Sequence, residues 1–242
     1  MSVFTYKYKI KYSDIGTENK LTLQALLAIL QEAATEHSDV SGYSINNVEQ
    51  TNCTWLILNW KVQMMSKPHL NECLTINTWP RTFEKMYSYR DFEVFDEKKN
   101  LVAIASSKWL LIDATTKKIK RITPEISIAY GGTCSKNVFD TPINEKPSVP
   151  NNLELNFNYE IQRRDLDTNG HVNNLHYLDF AFETLPEDIY TTCNFENLEI
   201  FYKKEIKYRE IINCYYSLEN NEHIITIKNN DDSVLHAIIK LY

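Results

Sequence analysis

The chain has 242 residues, with 26 Lys and Arg against 32 Asp and Glu, a formal net charge of −6. That balance argues against a dedicated nucleic-acid binder, whose affinity rests mainly on neutralising phosphates. With 43% hydrophobic residues and only 5 Gly and 7 Pro, a linker protein, a collagen and a disordered tail are also excluded.

In chain order, the opening MSVFTYKYKIK alternates as a strand does and lacks the continuous apolar core of a secretory signal. A helix is predicted over roughly 22–37, where Leu23, Leu26, Leu27, Ile29, Leu30, Ala33 and Ala34 leave the stretch apolar nearly all round. That is the pattern of a helix buried in a core. Thr22 is its expected N-cap, and Gly42 falls just past its end. TWLILNWKVQMM, CLTINTW, YSYRDFEVF and LVAIASSKWLLID then read as strands. The stretch 131–152, with Pro142, Pro147 and Pro150, has no period and reads as a linker. A second helix is expected after Asn173, its N-cap, and ends before Pro186. NLEIFYKKE, IINCYYSLE, HIITIKN and VLHAIIKLY complete the chain as strands. No apolar run approaches the roughly 18 residues that span a bilayer. Five cysteines, odd in number and never spaced C-x-x-C, suggest neither a disulfide framework nor a zinc site. A reducing compartment suits them.

These elements repeat. YKIKYSDIGTENKLT (8–22) lies over YEIQRRDLDTNGHVN (159–173), with Asp14 on Asp165, 151 positions apart. NWKVQMMSKPHLNECLTI (59–76) lies over NLEIFYKKEIKYREIINC (197–214), 138 positions apart. Two matches in the same order make a duplicated unit of one strand, one buried helix and several antiparallel strands, an α+β class.

The copies differ where chemistry would sit. Asp167, Asn169 and His171 face Gly16, Glu18 and Lys20 in the first copy, and Glu205 faces Lys67. His titrates near neutral pH and shuttles protons. Glu serves as a general base for water, best where burial raises its pKa. Asn can donate to a carbonyl oxygen, Asp can orient a neighbour, and the start of the second helix would aim N–H groups at developing oxyanion charge. A plain turn reading stands beside this one, because Asn169-Gly170 is a turn signal by itself. Calcium is a sharper rival, since Asp165-x-Asp167-x-Asn169-Gly170 opens like an EF-hand loop. Its twelfth position is His176 where a Glu is needed, and a strand precedes it where a helix is needed. His37, His69, His223 and His236 read as ordinary lone histidines.

The run RRDLDTNGHVNNLHYLDFAFETLP, with Glu205 in the later FYKKEIKY strand, resembles the acyl-acyl carrier protein thioesterases of plants and bacteria. The resemblance covers essentially the whole chain. It implies a tandem hot-dog fold, each antiparallel sheet wrapped around a long central helix. It also implies hydrolysis of fatty acyl thioesters on acyl carrier protein, with Asp167, Asn169, His171 and Glu205 catalytic. In those terms 1–130 is a hot-dog with a degenerate site and the acyl-chain pocket, 131–152 the linker, and 153–242 the catalytic hot-dog. Plant members carry a Cys directly after that Glu, where this chain has Ile206, so Glu205 is favoured over a thiolate. The start at the first strand, with no plastid transit segment, suggests a bacterial cytoplasmic enzyme. No metal or cofactor is needed for these roles. The expected partner is the acidic acyl carrier protein, docked on Lys203, Lys204, Lys207 and Arg209 or on Lys117, Lys118, Lys120 and Arg121. A homodimer is left open, since the tandem unit already supplies both halves of a hot-dog pair. Two rival readings are an acyl-coenzyme A thioesterase of the same fold and a non-catalytic acyl-binding module.

Overall fold

Alternation in the first residues turns Phe4, Tyr6 and Tyr8 inward along β1 (Phe4–Lys9) in the computed structural model, which describes residues 3–143 and 147–242. The chain divides into two units, Met1–Ile143 and Asn144–Tyr242. After β1 the first unit runs α1 (Leu23–Val40), α2 (Val48–Thr51), β2 (Cys53–Met64), β3 (Cys73–Glu84), β4 (Tyr87–Phe95), β5 (Leu101–Asp113) and α3 (Pro124–Ala129). Its strands form an antiparallel sheet in the order β1-β3-β4-β5-β2. The second unit runs β6 (Glu154–Glu160), α4 (His176–Thr184), α5 (Glu187–Thr192), β7 (Asn197–Tyr202), β8 (Ile211–Glu219), β9 (Glu222–Asn229) and β10 (Leu235–Leu241). Its antiparallel order is β6-β8-β9-β10-β7. Counted from each unit's own first strand, the two orders are identical: first, third, fourth, fifth, second. The fold is α+β, a hot-dog unit present twice.

In the first unit α1 lies against β1 and β3. It starts where expected, because Thr22 Oγ1 accepts the Ala25 N–H at 3.1 Å. It ends before Gly42, whose φ of 76° is left-handed and so favours glycine. Leu26, Leu27, Leu30 and Ala33 are fully buried. Truncating one of those leucines to Ala would cost about 2–5 kcal/mol.

The equivalences reach individual hydrogen bonds. Gly16 N–H donates to Lys20 O in one copy, and Asp167 N–H to His171 O in the other. Leu21 N–H donates to Pro68 O, and Val172 N–H to Ile206 O. Ile10 N–H donates to Glu72 O, and Ile161 N–H to Glu210 O. The acceptors Pro68 and Ile206 stand 138 positions apart, as do Glu72 and Glu210. The same spacing sets Glu205 on Lys67.

Three expectations need correction. Glu205 is not on a strand, because β7 stops at Tyr202, paired with Ala237, and the chain leaves the sheet there. The second helix starts at His176, and the Leu175 N–H and His176 N–H are taken by Asn173 Oδ1 and Asn173 O. It spans 9 residues where α1 spans 18, because the chain turns at Leu185 and restarts as α5 with Pro186 at its N-cap. The helix α3 adds an element that the strand pattern does not predict. Of the expected linker 131–152, residues 144–146 lie outside the described residues.

Candidate active site

The turn between β6 and α4 begins with a 3-10 turn, Arg163–Asp165, whose Asp165 carboxylate accepts the Gln162 N–H at 2.7 Å. Asp14 does the same for Lys11 N–H in the first copy, at 2.8 Å. Asp167 organises the rest of the turn. Its Oδ1 accepts the backbone N–H of Asn169 at 2.8 Å and of His171 at 3.2 Å, so the turn closes on one carboxylate. Gly170 takes a φ of 77°, the conformation Asn19 takes at 60° in the first copy. His171 then pairs with Lys207 in an isolated bridge, which places it beside the segment that carries Glu205.

The structure brings His171 and Glu205 together, with Nε2 3.2 Å from Oε2. The imidazole is mostly covered, while the Glu205 side chain is 50% exposed. The Glu205 carboxylate is therefore half open to solvent rather than buried. Asn169 turns its carboxamide toward Asp167, Nδ2 to Oδ2 at 3.4 Å. The Asp167–Asn169 pair and the His171–Glu205 pair are linked through the backbone of the turn, by the Asp167 carboxylate on His171 N–H.

At that helix start the Leu175 and His176 N–H groups are taken internally by Asn173. The carboxamide of Asn169 belongs to an exposed residue of the same turn and is a further possible donor. Calcium fares poorly for a related reason: Asp165 and Asp167 spend carboxylate oxygens on backbone N–H groups, and His176 is ion-paired with Asp179 at 2.9 Å. Ile206 is fully buried. Cys214 is buried in β8, and burial pushes its thiol up to about 12, which makes it a poor source of thiolate.

Sequence reasoning missed the bed under the pair. Tyr177, buried on α4, meets Tyr202 edge-on at 5.2 Å, and the Tyr202 hydroxyl donates to Asn174 O at 2.9 Å. Burial, and after it the nearby Glu205 carboxylate, raises the Tyr177 hydroxyl well above the ordinary tyrosine range. At the corresponding place the first copy holds a different pair, Lys20 Nζ on Glu18 Oε2 at 3.0 Å.

The model of the acyl-ACP thioesterase N-terminal domain matches residues 1–130, and that of the C-terminal domain matches residues 150–240. An oleoyl-acyl carrier protein thioesterase of Arabidopsis thaliana is 23% identical over 240 residues, covering 92% of this chain and 65% of its own length. A palmitoyl-acyl carrier protein thioesterase of Cuphea hookeriana is 23% identical, covering 84% of this chain and 52% of its own length. The chain thus spans less than two thirds of these curated relatives. Among solved structures, an acyl-ACP thioesterase from Bacteroides thetaiotaomicron superposes with a TM-score of 0.84 at 21% identity, covering 99% of this chain and 96% of its own. A 12:0-ACP thioesterase from Umbellularia californica gives 0.83 at 18% identity, with coverage of 99% and 96%. No helix among the described residues is long and apolar enough to cross a membrane.

Proposed function

Because the chain belongs to the acyl-ACP thioesterase family, we propose that it hydrolyses the thioester of a fatty acyl chain on acyl carrier protein, releasing the free fatty acid and ending elongation. The observation that carries this reading is the His171–Glu205 contact of 3.2 Å, set in the copy of a repeated turn whose counterpart holds Lys20 and Lys67.

Glu205, assisted by His171, takes a proton from water as its oxygen bonds to the thioester carbonyl carbon. Asn169 donates to the carbonyl oxygen as charge builds there. Asp167 holds the turn so that Asn169 and His171 face the same space. When the tetrahedral intermediate collapses, the carbon–sulfur bond breaks and the sulfur leaves as thiolate, helped by a thiol pKa near 8.5. It then takes up a proton. We assign this chemistry to 153–242 and the acyl-chain pocket to 1–130, with 131–152 joining them. Lys203, Lys204, Lys207 and Arg209 flank Glu205, which suits an acidic carrier protein. The rival run is partly occupied, since Lys120 Nζ donates to Asn52 O at 3.2 Å and lies 3.9 Å from Asp113. Five free cysteines fit a reducing compartment, and we place the enzyme in a bacterial cytoplasm.

The test is hydrolysis of matched acyl-carrier-protein and acyl-coenzyme A thioesters over graded chain lengths. Faster turnover on the carrier-protein thioester is expected. Preference for coenzyme A would substitute the acyl-coenzyme A reading, and binding with no hydrolysis of either would make the chain an acyl-binding module.

A further inference from the structure

Just before Glu205 the chain is held by one residue of β10. His236 O accepts two backbone N–H groups, Lys203 N–H at 2.8 Å and Lys204 N–H at 3.2 Å. The first copy has the same clamp: Val102 O accepts Met65 N–H at 2.8 Å and Ser66 N–H at 3.2 Å. Val102 and His236 are both buried, 3% and 2% exposed. Packing and main-chain bonding at this position are therefore satisfied by valine.

The histidine adds one bond that valine cannot make. His236 Nδ1 lies 3.0 Å from Lys204 O, and a carbonyl oxygen only accepts, so Nδ1 carries the proton and donates. Lys204 is thus bound on both faces of its peptide, its N–H by the His236 main chain and its C=O by the His236 ring. On the other side of Glu205, Ile206 O accepts the Val172 N–H at 2.9 Å, next to His171. The exposed carboxylate sits on a single residue between two anchored ones. The remaining ring nitrogen, Nε2, is buried with no hydrogen-bond partner among the described residues, 3.8 Å from Glu210 Oε2. Burial lowers the pKa of this imidazole, which keeps it neutral, and the Nδ1 donor is present in the neutral and the charged ring alike. Charge pairing with Glu210 is then not what the ring supplies.

We propose that His236 is a positioning residue for hydrolysis: through its Nδ1–H bond to Lys204 O it fixes the segment that holds Glu205 against His171. The proposal rests on the reading of Glu205 as the base. The ring belongs to the copy that carries Asp167, Asn169, His171 and Glu205, and the copy that lacks them has Val102. A half-exposed carboxylate has little packing to hold it, so its aim depends on the backbone beneath it. A misplacement of about 1 Å at a reacting group can cost 10²-fold in rate.

Two substitutions separate the tether from bulk. In His236→Asn the amide nitrogen stands where Nδ1 stood, so the bond to Lys204 O survives. In His236→Gln the amide reaches the Nε2 position instead and the bond is lost. Both variants, Glu205→Gln and the double variant His236→Gln/Glu205→Gln would be assayed for kcat and KM on one acyl-carrier-protein substrate, with folding followed by circular dichroism. His236→Gln should lower kcat by roughly 10–100-fold with KM little changed. His236→Asn should stay near the parent, and the double variant should be no slower than Glu205→Gln, because the ring acts through Glu205. A folded His236→Gln protein with parental kcat, an equal loss in His236→Asn, a further loss in the double variant, or failure of both single variants to fold would each overturn the proposal. Full activity of Glu205→Gln defeats the base assignment itself, whereas an inactive Glu205→Gln beside an active His236→Gln defeats only the positioning role.

Discussion

Replacing Glu205 by Gln should separate chemistry from folding by several kcal/mol. The substitution keeps size and a carbonyl acceptor but removes the carboxylate 3.2 Å from His171 Nε2. Because that side chain is 50% exposed, the contact contributes no more than about 1 kcal/mol to stability. For a chain of this size such a loss shifts the melting temperature by roughly 2–4 °C. Loss of a general base lowers turnover by roughly 10²–10⁴. At 1.36 kcal/mol per decade that is about 2.7–5.4 kcal/mol of transition-state stabilisation. Fatty acid release from acyl carrier protein, measured beside thermal unfolding, reads both quantities on one preparation. The matched change in the first copy, Lys67→Ala, should leave turnover close to the parent. A folded Glu205→Gln protein that turns over at nearly the parental rate would refute the base assignment. Equal losses from Lys67→Ala and Glu205→Gln would refute a single active copy.

Replacing all five cysteines by Ser or Ala should leave hydrolysis in place, since burial holds the Cys214 thiol at about 12; a folded, substrate-binding variant unable to hydrolyse would overturn the Glu–His pair. Gly170 sits at φ 77° with open space where a Cβ would stand, so only backbone strain opposes a side chain. Gly170→Val should cost about 1–3 kcal/mol in urea unfolding, and Gly170→Asn much less, because Asn tolerates left-handed φ as Asn19 does; equal losses would contradict this. His37, which accepts from Arg90 Nη1 at 2.9 Å, is pushed down to about 3 by burial and then by the Arg90 charge. An unfolded histidine titrates near 6.5, so between about 6.5 and 3 the unfolded chain binds the extra proton, and stability falls as pH drops through that window. The melting temperature of His37→Asn, which retains an acceptor for Arg90, should fall less steeply there; matching slopes would dismiss the linkage.

The duplication is legible because both copies keep the same turn chemistry. Asp14 and Asp165 cap their turns alike, and the register read from letters reappears in the bonds onto Pro68 O and Ile206 O. The four candidate residues stand out in the sequence because they differ between copies on that shared frame. The end of β7 is not. NLEIFYKKE continues a strand pattern past Tyr202, but the Lys203 and Lys204 N–H groups converge on one acceptor, His236 O, and the ladder stops. Only a long-range partner decides that. The second helix reads as starting early because Asn173 is a good cap by type, yet its side chain bridges to Leu175 before the helix begins. The helix α3 has a signal in Thr123-Pro124, an N-cap candidate followed by a proline at the first helical position, on six residues too few to show a period. His236 carries no local pattern at all. Its signal is Val102 at the equivalent place, visible once the strand register is known.

Fusing the copies into one chain also changes what a mutation can do. In a symmetric dimer of identical units every substitution strikes both turns at once. Here one backbone path is written twice with different side chains: Asp167, Asn169, His171, Glu205 and His236 in one, Gly16, Glu18, Lys20, Lys67 and Val102 in the other. The second version can be altered while the first keeps the bare path, at fixed one-to-one stoichiometry within each molecule. Each molecule therefore carries its own internal reference. Grafting residues onto the first turn one at a time would ask how many side chains the path needs before it acquires chemistry.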